Sequence, residues 1–291
     1  MKRSVFGASV QGASHKRNGI ECQDNFKIRD KNSKVKAKVK NEYLKNISDN
    51  ITILAVADGH GSSSCPYSRT GSKIAVNVFC EIITEFCYKF RDDMEALEMQ
   101  LKSESDLIHL AKAIEIDWKK RVRNNYNLNK NKKPPVLSKE EEQDEYAVTK
   151  LYGTTLLGML LTDKFVFSFQ LGDGEICVID KTGVRTMLER EKILGIETHS
   201  LSKKSAWKHA VSSLTYFCDY KDEPFMFMVS TDGMINSYVS EQEFYKSCQG
   251  YYSMIQEHGA DAVKRYLEKW LNETSEQGCG DDIAVVFAYF G

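Results

Sequence analysis

Residues 51–61 read ITILAVADGHG, an unbroken apolar run that ends abruptly in an aspartate, a histidine and two glycines. The run is too short for a globular helix and rich in β-branched residues, so it predicts a strand buried on both faces. The Asp58-Gly59 pair that follows is turn chemistry, because glycine takes positive φ freely and aspartate tolerates it. The same punctuation recurs down the chain. FVFSFQL (165–171) runs into Gly172-Asp173-Gly174, and FMFMVS (225–230) runs into Thr231-Asp232-Gly233. IAVVFAYF (283–290) begins just after Gly280-Asp281-Asp282. SVFGASV (4–10), TTLLGMLL (154–161) and EICVID (175–180) complete a set of short apolar strands.

Thr162-Asp163-Lys164 and Lys181-Thr182-Gly183 are short links, which predict hairpins and hence antiparallel sheet. Helical periodicity is confined to separate stretches. In residues 66–90, Ile74, Val78, Ile82, Phe86 and Phe90 recur every fourth position, with Pro66 in the first turn. Residues 103–123 set Leu107, Leu110, Ala111, Ile114, Trp118 and Val122 on one stripe. A short helix opens at Ser240, with Glu243 completing a capping box. A last helix carries Val263, Tyr266, Leu267, Trp270 and Leu271. Clustered strands with helices grouped apart predict a layered α+β fold and not a βαβ alternation.

The chain has 291 residues, with 40 Lys+Arg against 41 Asp+Glu and 42% hydrophobic residues. A net charge of −1 lacks the basic surplus of a protein built to hold nucleic acid, and the apolar content excludes an acidic disordered chain. No run approaches a membrane span, and the start has no apolar signal region. The eight cysteines form no Cys-x-x-Cys pair and read as reduced core thiols, which predicts a cytoplasmic protein. The expectation is a single catalytic domain over 1–291, monomeric, with no nucleic-acid or membrane partner. Polar stretches at 30–50 and 119–145 read as solvated surface insertions. Pro134-Pro135 in the second should stop any helix before it.

Each Asp-Gly turn taken alone is bland. Together they place carboxylates at the ends of buried strands, and stacked sheets can bring such ends to one edge. Converging carboxylates repel and raise one another's pKa, a cost that a bound cation removes. The donors are all oxygens, which selects Mg²⁺, Mn²⁺ or Ca²⁺ over zinc.

VQGASHKRNGIECQD (10–24), VADGHG (56–61), YGTTL (152–156), QLGDG (170–174), STDG (230–233) and GDDIAVV (280–286) form an ordered set. That set resembles the protein phosphatase 2C family of metal-dependent Ser/Thr phosphatases, in its compact prokaryotic branch. The resemblance implies an α+β fold, a four-layer αββα sandwich of two antiparallel sheets flanked by helices, with two Mn²⁺ or Mg²⁺ ions between them. It implies that Asp58 bridges both ions, that the Gly59 carbonyl binds the second, and that Asp232 and Asp281 bind the first. Asp24 would hold a metal-bound water, Asp173 would serve a weaker third ion, and His60 would be the general acid. Paired divalent ions supply hydroxide near neutral pH, which attacks phosphorus in line.

Three positions depart from that pattern. Gln23 stands where the family has an acidic residue, and Asn236 replaces another carboxylate. Gly19 occupies the place of the phosphate-binding arginine, a role assigned here to Arg17, with His15 as its alternative. Residues 186–224 read as the flap-like region, with Lys203, Lys204 and Lys208 orienting a phosphoprotein. The other histidines, His109, His199, His209 and His258, read as ordinary surface or helix residues. The function read from the sequence is hydrolysis of phosphoserine and phosphothreonine in the phosphoprotein substrate of a Ser/Thr kinase. The alternatives are a pseudophosphatase that binds phosphoproteins and a phosphatase of a small phosphometabolite.

Overall fold

In β3 (Thr52–Ala57), Ile53, Ala55 and Ala57 point to one apolar layer while Leu54 and Val56 point to another. This alternation with both faces buried explains why the strand reads as continuous apolar sequence. The same sorting runs through β10 (Ile283–Phe290), where Ile283, Val285 and Phe287 oppose Ala284, Val286 and Ala288. A computed structural model of the chain describes residues 3–31, 33, 50–130, 137–188, 198–217 and 223–291.

Among the described residues two five-stranded sheets result, every pairing antiparallel. The first has the order β1-β10-β9-β6-β7, with β1 at Arg3–Val10, β6 at Glu175–Asp180, β7 at Gly183–Thr186 and β9 at Phe225–Ser230. The second has the order β2-β3-β4-β5-β8, with β2 at Asn25–Arg29, β4 at Leu156–Leu161, β5 at Phe165–Leu171 and β8 at Val211–Tyr216. The core between the sheets holds Leu54, Val56, Met159, Val178, Phe227 and Val286. Helices α2 (Ser68–Lys89), α3 (Met94–Lys102), α4 (Glu104–Asn129) and the short α5 (Glu145–Lys150) cover the second sheet. Helices α7 (Glu241–His258) and α8 (Ala260–Gln277) cover the first. The architecture is the four-layer αββα sandwich, and both expected hairpins form, β4 with β5 and β6 with β7.

Several local expectations need correction. The every-fourth stripe of α2 lies mostly on its flank: Val78 is buried in the core, but Ile74, Ile82, Phe86 and Phe90 are only partly buried, and Ala75, Val76, Phe79, Cys80 and Ile83 form the rest of the core face. Small residues on the packed face (Gly71, Ser72, Ala75) let the helix approach the sheet, and a hydrophobic stripe cannot register them. Helix α4 runs on through Asn129 with Val122 and Tyr126 buried, so residues 119–129 are core-packed helix and not insertion. The helix opening at Ser240 is capped as expected, the Ser240 hydroxyl accepting from Glu243 N, but it continues for 18 residues. In α8, Val263, Leu267 and Leu271 are buried while Tyr266 is half exposed and stacks on Trp270. Strands β2 and β8 went unpredicted because each is an edge strand with mostly half-buried residues, which weakens the apolar signal.

Most of the 30–50 stretch, residues 131–136 with the proline pair, and residues 189–197 and 218–222 of the flap-like region lie outside the described residues. Cys65, Cys80, Cys87, Cys177 and Cys248 are buried free thiols, and Cys279 is exposed. Among the described residues no helix is long and apolar enough to cross a membrane.

Candidate metal centre

Asp58 stands at the end of β3, and its backbone is fully engaged. Its N–H donates to Thr155 Oγ1 at 3.0 Å, and its carbonyl accepts from Thr155 N at 2.9 Å and Thr154 Oγ1 at 2.7 Å. His60 N donates to the Gly153 carbonyl at 3.1 Å. The YGTT block therefore clamps the backbone of the DGHG turn. Gly59 is required by close approach: a Cβ there would lie 2.8 Å from the Gln23 carbonyl oxygen and 2.9 Å from Ser68.

Asp173 sits in the turn by which the chain leaves β5 in one sheet for β6 in the other. Gly172 (φ 102°) and Gly174 (φ 121°) flank it in conformations that L side chains rarely adopt. Thr198 Oγ1 donates to Asp173 Oδ2 at 2.8 Å. Asp232 follows β9 and opens the short helix α6 (Asp232–Asn236). Carboxylate oxygens of Asp58, Asp173 and Asp232 all lie within 4.8 Å of one another. Asp24, buried just before β2, and Asp281, half exposed just before β10, are close enough to raise the Asp58 pKa. One edge of the sandwich thus collects a carboxylate from each of five separate segments.

The electrostatic cost is visible. Burial, then the charges of Asp24 and Asp232, hold the Asp58 carboxyl well above its ordinary range. Burial also pushes Asp24 well up, with partial relief from the Thr231 hydroxyl. Asp232 is pushed to about 7 by burial and by Asp173 and Asp281, against opposing hydrogen bonds from Gly233 N and Asn236. Gln23 Oε1, Asp24 Oδ2 and Asp173 Oδ1 are buried without a hydrogen-bond partner. Orphaned oxygen lone pairs beside mutually repelling carboxylates fit a hard divalent cation such as Mn²⁺ or Mg²⁺.

The remaining sequence-derived residues divide. His60 packs on Gly153, where a Cβ would lie 2.5 Å from His60 Cδ2. Asn236 Nδ2 donates to Asp232 Oδ2 at 2.9 Å. Arg17 is exposed on α1 (Ala13–Asn18) and forms no hydrogen bond or ion pair with a described residue. His15, on the same helix, is turned inward, with Nδ1 2.9 Å from Asp282 Oδ1 and Nε2 3.8 Å from Asp281 Oδ1. Lys208 is exposed with its ammonium over the Trp207 ring, and Lys204 is exposed. The Lys203 carbonyl accepts from Lys119, whose partner Glu115 also takes the Trp207 N–H, fixing this loop to α4.

Sequence reasoning missed Asp282. Its buried carboxylate accepts Gly12 N and Gln23 N, each at 2.6 Å, and so ties the 11–24 loop to β10. No local pattern marks it, because both of its partners lie at the other end of the chain.

Comparison with known proteins adds an independent finding. A family model described as Protein phosphatase 2C matches residues 11–272. No curated protein matches the chain in sequence. Among solved structures, the chain resembles the S. agalactiae serine/threonine phosphatase at 11% identity, covering 100% of both chains, with a TM-score of 0.57. It also resembles the catalytic domain of the serine/threonine phosphatase PstP, solved with two manganese ions, at 13% identity over 99% of each chain and a TM-score of 0.53. A C. elegans sex-determining protein matches at 15% identity and TM-score 0.59, with 99% of this chain covering 65% of that one. These likenesses concern the fold.

Proposed function

The chain belongs to the protein phosphatase 2C family, and from that premise we propose that it is a metal-dependent phosphatase of phosphoserine and phosphothreonine in proteins. The observation that carries the proposal is the cluster of Asp58, Asp173 and Asp232 within 4.8 Å, desolvated and mutually repelling. Divalent ions held there, Mn²⁺ or Mg²⁺, would acidify water to supply the nucleophile and offset charge on the phosphoryl oxygens. Asp58, the Gly59 carbonyl, Asp232 and Asp281 are the proposed holders of two ions, Asp173 of a weaker third, and Asp24 of a water. His60 is the proposed proton donor to the departing serine or threonine oxygen, standing directly after the clamped Asp58-Gly59 turn. The phosphate grip falls to Arg17 or His15 on α1. The reading extends to a cytoplasmic monomer acting on the phosphoprotein product of a Ser/Thr kinase.

Comparing kcat/KM on a phosphothreonine peptide, an aryl phosphate and small phosphometabolites tests the substrate class. Preference for the peptide supports the proposal, and preference for a metabolite overturns it. Gln23 and Asn236 favour one rival, a pseudophosphatase, because each replaces a charge with an amide. That rival predicts phosphopeptide binding without phosphate release.

A further inference from the structure

We infer that the pocket between the first turn of α2 and the last turns of α4 is a binding site for a neutral, planar heteroaromatic molecule of the nucleobase class. The inference stands apart from the proposed catalysis, since no residue lining this pocket belongs to the metal centre.

Tyr67 and Thr70 at the start of α2, Asn125, Tyr126 and Lys130 at the end of α4, and Tyr152 ahead of β4 line a space of about 310 Å³. Small-molecule sites run from about 300 to 1,000 Å³, so this one admits a single compact ring system. Its walls are fixed by their own contacts. Gly71 lets α2 press on Tyr152, where a Cβ would lie 1.9 Å from the Tyr152 carbonyl oxygen. Trp118 Nε1 donates to the Gly71 carbonyl at 3.0 Å and ties α4 to the same turn. Tyr67 N donates to the Leu151 carbonyl at 2.9 Å. The Tyr67 and Tyr152 rings stand 5.2 Å apart at a tilt of 48°, and Tyr126 and Tyr152 are buried. Three aromatic rings around one small space favour a flat, unsaturated occupant, because ring contact adds to plain area burial.

The polar groups narrow the class. Tyr152 Oη donates to Asn125 Oδ1 at 2.9 Å. The Asn125 amide oxygen is thereby taken, while its NH₂ forms no hydrogen bond with a described residue. The Thr70 hydroxyl likewise bonds to no described residue. Tyr126 Oη donates to Glu142 Oε1 at 3.1 Å, and Lys130 Nζ meets Glu142 Oε2 at 2.7 Å, so the charge of Lys130 is matched. Burial holds the Tyr126 and Tyr152 phenols above their ordinary range, so both stay neutral. The pocket therefore offers an amide donor for a ring carbonyl or ring nitrogen, and a hydroxyl that gives or takes one hydrogen bond. A flat ring with donors and acceptors along its edge is a nucleobase, and amide and aromatic side chains are the groups that read one. Tyr152 is followed directly by Gly153 and Thr154, which hold the DGHG turn, so an occupant sits one residue from that turn's support.

The test is titration of the full chain, free of metal, with adenosine, guanosine, uridine and cytidine, read by calorimetry and by the tyrosine ring signals in NMR. At least one nucleoside is expected to bind with a Kd below about 1 mM and to show contacts between its base protons and tyrosine ring protons. Asn125→Leu and Thr70→Val should each weaken that binding about tenfold, and Asp58→Asn should leave it unchanged. Should Asn125→Leu fail to fold, Thr70→Val carries the test, because no hydrogen bond to a described residue is lost with its hydroxyl. Lack of binding by all four nucleosides, binding indifferent to every folded pocket variant, or binding lost in Asp58→Asn overturns the site and leaves the proposed metal centre standing.

Discussion

Asp58, Asp173 and Asp232 reach the centre from the ends of core strands, whereas His15 and Arg17 ride on a six-residue helix in the connection between β1 and β2. The first group is positioned by sheet register and by a backbone clamp. The second is positioned by hydrogen bonds from Ser14, Gly12 and Gln23 to residues more than 250 positions away. Strand ends make a rigid carboxylate wall whose repulsion is held in place by the fold.

The largest expected effect separates what the carboxylate wall does for the fold from what it does for catalysis. Asp58→Asn should lower kcat by about a thousandfold or more, the loss of several kcal/mol of charge stabilisation. The same substitution removes a buried, repelled charge, so in EDTA its melting temperature should equal or exceed that of the wild type. A metal-free mutant that melts lower would break the claim that the cluster is strained. On the helix side, Asp282→Asn removes one of two acceptors for buried N–H groups. It should destabilise the protein by about 1–3 kcal/mol, read by thermal melts.

The clamp can be probed directly. Thr155→Val strips the acceptor from Asp58 N–H and should cost about 1–3 kcal/mol, with a smaller fall in kcat than Asp58→Asn. The cluster's pH dependence gives a further contrast. Asp232 titrates near 7 in the folded chain against 3.8 for an ordinary aspartate, so the folded state binds more protons between those values. Metal-free stability should therefore fall as pH rises from about 4 to 7 and level off above, and the melting-temperature gain from Mn²⁺ should grow over the same window. The smallest effect is expected furthest from the metals. Charge reversal at Lys203, Lys204 and Lys208 should raise KM a few-fold on a phosphoprotein and leave an aryl phosphate unaffected, and an equal loss on both substrates would remove these lysines from substrate binding.

What was legible in the sequence follows the same division. The strands around Asp58, Asp173 and Asp232 announce themselves because burial on both faces leaves them almost wholly apolar up to the turn, with Thr52, Ser168, Gln170 and Ser230 as their buried polar residues. Edge strands β2 and β8 do not, since half-exposed residues carry little periodicity. The core face of α2 stayed hidden behind the small residues that let Gly71 approach the Tyr152 carbonyl, a contact that leaves no room for a Cβ. Asp282 and the inward turn of His15 depend on contacts between the two ends of the chain, which no local pattern encodes.

The most direct test of the account is phosphate release from a phosphothreonine peptide as Mn²⁺ is titrated into the metal-free protein, beside Asp58→Asn. The account predicts turnover that rises with Mn²⁺, is abolished by EDTA, and is absent from the folded mutant. No turnover from the folded wild type at saturating Mn²⁺, or undiminished turnover in Asp58→Asn, would contradict it.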